Sequence, residues 1–497
     1  MWLISTLLFI GILGLLAYLD TKKPKNYPPG PKWLPILGSA LEVYKYRKKT
    51  GTLSLATNEL AKKYGPVLGL RIGKDRIVFA YGFEAIREFL LKEELSGRPQ
   101  GPFYELRTWG KRRGIMLTDE DFWQEQRRFV LRHLREFGFG SRNMSSLIEE
   151  EAEIMVNHIK KKIEDNHGWC EIRIDRLFGI HILNTLWTMM AGTRYSPEDK
   201  ELKNLQIVLT ELFANIDMGG TLFSHFPFLR YVAPEFSGYN MYIKTHMGIW
   251  KLLNEELRKH KETYNPEDLR DFMDVYLKML DSPEKNETFT ETQLLAICLD
   301  LFMAGSETTS KSLGYCFLYL LLNPQIQKKA QEEIDRVVGT DRLPCLNDRP
   351  QMQYTECIVL ESLRMFTGRG FSIPHRALKD TTLQGYFIPK DTMLIATFNG
   401  TLLSDDSGWP EPEVFKPERF VKDEKIYKPE NYLPFGIGRH RCMGETLAKA
   451  NIFLITSSLL QNFNFSIPPG TPPPSTLSRD GATPGPQPFK AIVTLRQ

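Results

Sequence analysis

The sequence predicts a mainly α-helical fold with minor β sheets, an α+β chain behind one N-terminal anchor helix. Three observations predict it. Between about 119 and 337 apolar residues recur at helical spacing, most clearly at 145–164, 246–264 and 291–322. Two shorter patches, 66–80 and 376–398, alternate as strands do. The first nineteen residues, MWLISTLLFIGILGLLAYL, carry no charge.

As a helix, that opening run reaches about 28 Å, close to the apolar thickness of a bilayer. A cleaved signal peptide is the rival reading, but it needs a basic n-region and a small-residue cleavage site, and neither is present. A buried helix is the plainer one. An uncleaved anchor is preferred, and Lys22, Lys23 and Lys25 directly behind it place the body on the cytosolic side. The next segment, KKPKNYPPGPKWLPILG, is rich in proline and reads as a stiff extended hinge. The expected division is an anchor at 1–20, a basic, proline-rich hinge at 21–38 and one large domain at 39–497.

Within that domain, PVLGLRIGKDRIVFA reads as a hairpin turning at Gly73-Lys74-Asp75. Helical spacing returns at 443–461, and the tail from Pro468 to Phe489 is rich in proline, glycine and serine. No long linker divides the body, and nothing repeats at a fixed period.

Composition narrows the function. Of 497 residues, 42% are hydrophobic and 25% charged, enough apolar material for a large core. A net charge of +4 without a concentrated basic face argues against nucleic acid as a partner. The six cysteines show no C-x-x-C pair and no zinc-like spacing, and a cytosolic body makes disulfides unexpected. Five read as small buried apolar residues.

Cys442 keeps different company, in PFGIGRHRCMG at 434–444. Gly436 and Gly438 permit a tight turn in which backbone amides can face a ligand. Cys442 then opens an apolar helical run, ETLAKANIFLITSSLL. A helix N-terminus, with Arg439, His440 and Arg441 beside it, should lower the thiol pKa. Gly444 removes a side chain where a flat macrocycle can lie. A buried structural cysteine beside a helix cap is the alternative reading.

This loop resembles the haem-binding loop of the cytochrome P450 family, Phe-x-x-Gly-x-(Arg/His)-x-Cys-x-Gly, through Phe435, Gly438, His440, Cys442 and Gly444. Other motifs follow in the family's order, and the resemblance runs along nearly the whole chain. ESLR at 361–364 with PERF at 417–420 resembles the family's buried triad, here Glu361, Arg364 and Arg419. MAGSETT at 303–309 resembles its oxygen pocket, a widened helix turn with Thr308 and Glu307 as the proton-delivering pair; back-bonding of Thr308 to a carbonyl is the structural alternative. Trp123 and Arg127, at i and i+4, match a pair that donates to a haem propionate. Arg98 and His375 match further propionate contacts, and His440 stands where most members have arginine, which implies a weaker, pH-dependent donation. Arg128, Arg132 and Arg135 form a separate basic stripe, suited to an acidic electron donor or, more plainly, a solvated face.

The resemblance implies a single cytochrome P450-like domain holding haem b, its iron ligated by the Cys442 thiolate, which favours O–O cleavage. Electrons are expected from NADPH through a cytochrome reductase flavoprotein, at the endoplasmic reticulum membrane. One oxygen atom is expected to enter a lipophilic small molecule. The expected pocket walls are 101–118, the helix ending near Phe213, 299–304, 370–373 and 481–485, with Phe103, Tyr104, Phe213, Phe302 and Phe371 facing the substrate. The stretch 221–238 reads equally as a second membrane contact and as a buried helix connection. RTWGKRRGI and the motifs around Trp123 and Cys442 are similar to insect members that make hormones, so the expected reaction is epoxidation of methyl farnesoate to juvenile hormone. Ecdysteroid or fatty-acid hydroxylation and xenobiotic detoxification are alternatives within the class. A reductase-independent haem-thiolate isomerase or dehydratase and a non-catalytic haem sensor are rivals outside it; the oxygen-pocket motif counts against both.

Overall fold

The helix Glu291–Leu322 is buried on nearly every side, and its sequence is apolar all round rather than on one stripe. Such a helix has to lie inside a protein or a membrane. Here it runs through the protein core, flanked by the helices Gly179–Ala191, Tyr239–Thr263, Gln353–Thr367 and Glu445–Asn462. Its first turn is capped by Thr290, whose side chain accepts from the Gln293 amide. The computed structural model describes residues 2–140 and 142–496.

The fold is mainly helical with small sheets. Strands Val67–Ile72 and Asp75–Tyr81 form the expected antiparallel hairpin around Gly73 and Lys74. Gly73 takes φ +55°, and a Cβ there would lie 2.2 Å from the His225 carbonyl oxygen, so turn shape and close approach both require glycine. Asp75–Tyr81 also pairs in parallel with Met393–Thr397, which carries His375–Arg376 on its other edge. A second sheet places Lys490–Leu495 between Phe463–Ser466 and Trp169–Arg173. Its outer strands come from distant parts of the chain, including one inside the stretch read as helical.

The N-terminal helix spans Trp2–Asp20, with its large apolar side chains exposed. Among the described residues no helix is long and apolar enough to cross a membrane. The expected transmembrane span is therefore not reproduced, and Met1, part of it, lies outside the described residues.

The proline segment is docked rather than a free spacer. Tyr27 and Trp33 are buried, the Tyr27 hydroxyl donates to the Leu70 carbonyl at 3.2 Å, and the Gly69 amide donates to the Pro29 carbonyl at 2.8 Å. Arg71, on the hairpin, donates to the Asp20 carboxylate at 2.7 and 2.8 Å and to the Leu34 carbonyl at 2.9 Å.

Candidate active site

The cysteine loop is shaped by two glycines with positive φ, Gly436 (+67°) and Gly438 (+77°). A Cβ on Gly438 would stand 2.3 Å from the Leu90 carbonyl oxygen, so the loop closes onto the helix Phe83–Leu91 only with glycine there. The Cys442 amide donates back to the Phe435 carbonyl at 3.0 Å. The helix starts later than expected: Gly444 is its N-cap and Glu445 its first residue. Cys442 lies just outside it.

Cys442 is exposed and lines a cavity of about 350 Å³. Burial pushes its thiol above the ordinary range, opposed by the Gly444 amide and by Arg127 and Arg441. The expected lowering therefore does not hold: the protein environment desolvates the sulfur more than its dipoles and charges stabilise the thiolate.

The same cavity is lined by Thr308, Arg98, Trp123, Arg127, His375 and His440, and by Phe435 and Gly444 of the loop. One wall is cationic. Arg98 is buried; its Nη1 donates to the Pro374 carbonyl at 3.0 Å, and its Nε has no partner among the described residues. Burial pulls the Arg98 pKa down to about 9. Arg127 donates to the Arg441 carbonyl at 2.7 Å, and burial lowers its pKa too. Among the described residues neither guanidinium forms an ion pair. The His375 Nδ1 meets the Leu95 carbonyl at 2.9 Å, and burial, with Arg98 nearby, holds its pKa well below the usual range.

Three expected contacts differ. Trp123 donates its indole N–H to the Ile115 carbonyl at 3.0 Å, so that proton is already used, while its ring carries the Arg127 guanidinium 5.3 Å from the centroid. His440 Nε2 meets the Ser96 carbonyl at 2.8 Å, and burial among Arg98, Arg127 and Arg439 holds its pKa down to about 3. Glu307 does not line the cavity. It turns away, paired with Lys311 at 2.9 Å and accepting from the Thr210 hydroxyl at 2.5 Å.

Thr308 does face the cavity, with its hydroxyl donating to the Ala304 carbonyl at 2.8 Å. The turn is not widened; the helix stays α-helical from Glu291 to Leu322. Of the expected aromatic wall only Phe371 lines the cavity. Phe103 and Tyr104 pack in the core with Tyr242 and Phe223, Phe302 packs on Trp187, and the Phe213 ring lies near the Lys311 ammonium. Ile115, Met116, Leu301, Ile373 and Pro484 supply the apolar wall instead.

The Glu361, Arg364 and Arg419 side chains meet in the core. Glu361 accepts from Arg364 at 2.7 and 2.8 Å, from Arg419 Nε at 3.0 Å and from the Lys416 amide at 2.9 Å. Arg364 also donates to the Leu402 carbonyl, and Arg419 to those of Pro410, Glu411 and Val414. A buried ionic group persists only when its lone pairs and protons are placed in this way. Arg128, Arg132 and Arg135 are exposed on the helix Glu120–Glu136, and none forms an ion pair among the described residues.

Sequence reasoning missed Asp119. It reads as an N-cap for the helix at Glu120, but its side chain caps nothing. It accepts instead from the Arg98 amide at 2.7 Å, from Arg112 at 3.0 and 3.1 Å and from Arg376 at 3.0 Å. This carboxylate fixes the backbone that aims Arg98.

The wall fits haem. Its guanidinium groups want carboxylates, which the propionates supply, and a cysteine sulfur faces the same space. A Cβ on Gly444 would meet nothing closer than the Cys442 sulfur at 3.9 Å, leaving room for a flat ring beside that sulfur.

The comparisons agree. The Cytochrome P450 family model matches residues 28–493. The chain is 44% identical to the probable cytochrome P450 303a1 of Drosophila melanogaster, over 99% of each chain. It is 37% identical to the farnesoate epoxidase of Bombyx mori, over 97% of each. It is 34% identical to cytochrome P450 2J2 of Homo sapiens, over 93% of this chain and 91% of that one. A cysteine and a threonine on one cavity, a cationic wall fitted to propionates and relatives of full length have one explanation: the chain belongs to the cytochrome P450 family and is a haem-thiolate monooxygenase.

Proposed function

We propose that the chain inserts one atom of O2 into a lipophilic substrate, with electrons from NADPH delivered by a reductase flavoprotein. The observation that carries this reading is the shared cavity of Cys442 and Thr308, apolar on its substrate side. Bound haem supplies the oxygen chemistry; the protein supplies ligand, orientation and exclusion of water. In this reading Cys442 would hold the haem iron through its sulfur. Arg98, Arg127 and His375 hold the propionates, and Trp123 supports Arg127 through its ring. His440 acts through the loop by its bond to Ser96. Phe435, Gly438 and Gly444 shape the seat. The Thr308 hydroxyl passes protons to the oxygen site. The triad of Glu361, Arg364 and Arg419 keeps the cysteine loop on the core.

The proposed substrate is methyl farnesoate, epoxidised to juvenile hormone. Support comes from the apolar cavity and from the similarity to the farnesoate epoxidase of Bombyx mori. The test is incubation of the reconstituted enzyme with methyl farnesoate, reductase and NADPH, followed by chiral product analysis. Epoxide that requires both reductase and NADPH is the expected result. Turnover of fatty acids or ecdysteroids with no epoxide would overturn the substrate, and turnover without reductase would overturn the monooxygenase cycle.

The proposal includes attachment to the endoplasmic reticulum membrane through residues 1–20, with the hinge at 21–38 and the haem domain at 39–497. The exposed apolar helix Trp2–Asp20 supports it. So do Phe228, Tyr231, Val232 and Phe236, all exposed, whereas Phe223 and Phe226 of the same stretch are buried. Leu34, Ile36 and Leu41 are exposed as well, and the hairpin turn at Gly73 and Lys74 bonds to both segments, Gly73 donating to the Leu37 carbonyl and Lys74 to the His225 carbonyl. Clustered apolar surface of this kind suits a lipid surface.

A further inference from the structure

Lys311 stands one helical turn beyond Glu307 on the central helix. Its ammonium lies 2.9 Å from Glu307 Oε2 and donates to the Thr483 carbonyl at 2.7 Å and the Thr483 hydroxyl at 2.9 Å. Its three protons thus have three acceptors. The other Glu307 oxygen accepts from Thr210 at 2.5 Å, on the helix Lys200–Asn215. Both charged side chains are largely shielded, at 13% and 9% exposure.

A second contact joins the same elements. The Ala482 amide donates to the Phe213 carbonyl at 2.8 Å. Gly481 takes φ +133°, and a Cβ there would lie 2.2 Å from that carbonyl oxygen. The turn at 481–485 thus touches the helix Lys200–Asn215 backbone to backbone, while the Lys311–Glu307 pair ties both to the central helix, Lys311 through Thr483 and Glu307 through Thr210. Ala482, Thr483 and Pro484 of this turn line the cavity.

We propose that Lys311 is a positioning residue for the oxygenation. It clamps the terminal turn and the helix Lys200–Asn215 onto the central helix, and so sets the closed shape of the substrate end of the cavity. The proposal accounts for the orientation of Glu307: its carboxylate serves the clamp rather than the oxygen site. A buried ion pair adds little net stability over apolar groups of similar volume, so its value lies in the arrangement it specifies. Substrate passing this end of the cavity has to part the elements that Lys311 joins.

Lys311→Met keeps the volume and removes the charge. In the haem-loaded enzyme, the probe is a lipophilic phenylimidazole that ligates the iron, with its release followed by absorbance. Lys311→Met is expected to speed release at least about tenfold, the effect of losing a single charge-assisted hydrogen bond, since it removes all three contacts of the ammonium. KM for a turned-over lipid should rise more than kcat falls, and Lys311→Arg should recover part of both. Thr210→Val should speed release alone but add nothing to Lys311→Met, since both open one clamp. Hydrogen exchange at 200–216 and 478–486 should rise while 434–444 stays protected. Unchanged release and exchange, or additive effects of the two substitutions, would overturn the clamp. Should Lys311→Met fail to fold, Thr483→Val and Thr210→Val, which leave the ion pair in place, decide by the same measurements. Exchange and probe release depend on neither substrate identity nor electron supply, so failure here is distinct from failure of the proposed reaction.

Discussion

Arg364 and Glu361 meet through two parallel hydrogen bonds of 2.7 and 2.8 Å, with both side chains wholly shielded from solvent. Glu361→Gln removes the charge and leaves Arg364 buried without its counterion. Breaking a buried pair in this way costs about 3–5 kcal/mol. Thermal unfolding of the haem-loaded protein should show the loss, with a matching fall in haem-loaded yield. A melting temperature equal to wild type would mean the triad does not hold the cysteine loop.

Cys442→Ala should abolish the thiolate signature of the haem. The red-shifted band of the reduced carbon monoxide complex reads it directly. Persistence of that band would assign the ligand to another residue.

Thr308 and Glu307 should separate. Thr308→Ala removes the hydroxyl that faces the cavity and is expected to lower product formed per NADPH several-fold. Glu307→Gln should leave that ratio near wild type, because its carboxylate faces Lys311 and Thr210. Equal uncoupling by the two would return Glu307 to the proton path.

Asp119 gives the protein an acid-side weakness. Burial raises its pKa, but Arg112, the Arg98 amide and Arg376 together bring it below the ordinary value. A depressed carboxylate stabilises the fold above its unfolded pKa of about 3.9, and that stability drains away as pH falls through the folded value. Wild type should therefore lose stability below about pH 4 more steeply than Asp119→Asn, which should already be weaker at neutral pH. Parallel melting curves across that range would show that Asp119 carries none of this dependence.

The stripe of Arg128, Arg132 and Arg135 is exposed and free of ion pairs among the described residues. Replacing all three with glutamate should raise the KM for reductase and flatten its salt dependence, with substrate binding unchanged. Unaltered reductase kinetics would leave the stripe as a solvated face.

Much of this was legible in the chain. The loop 434–444 needs local order, two positive-φ glycines and a cysteine, and local order is written in adjacent residues. The Glu361–Arg364 pair sits at i, i+3 on one helix, so its contact follows from helix geometry alone. Glu307 shows the limit. It adjoins Thr308 in sequence, yet one residue turns about 100° around a helix, enough to carry it off the cavity face. Which partner waits on that other face depends on Thr210 and Thr483, far away along the chain.

The sequence by itself determined the helical core, the hairpin at Gly73, the cysteine loop and the triad. Each rests on periodicity, on backbone freedom at glycine or on a long motif. Only the tertiary structure decided the occupants of the cavity wall, the partners of Trp123 and His440, the work of Asp119 and the clamp at Lys311. Those outcomes depend on which distant groups satisfy a buried hydrogen-bonding atom. A buried polar group takes whichever partner the packing brings within about 3 Å.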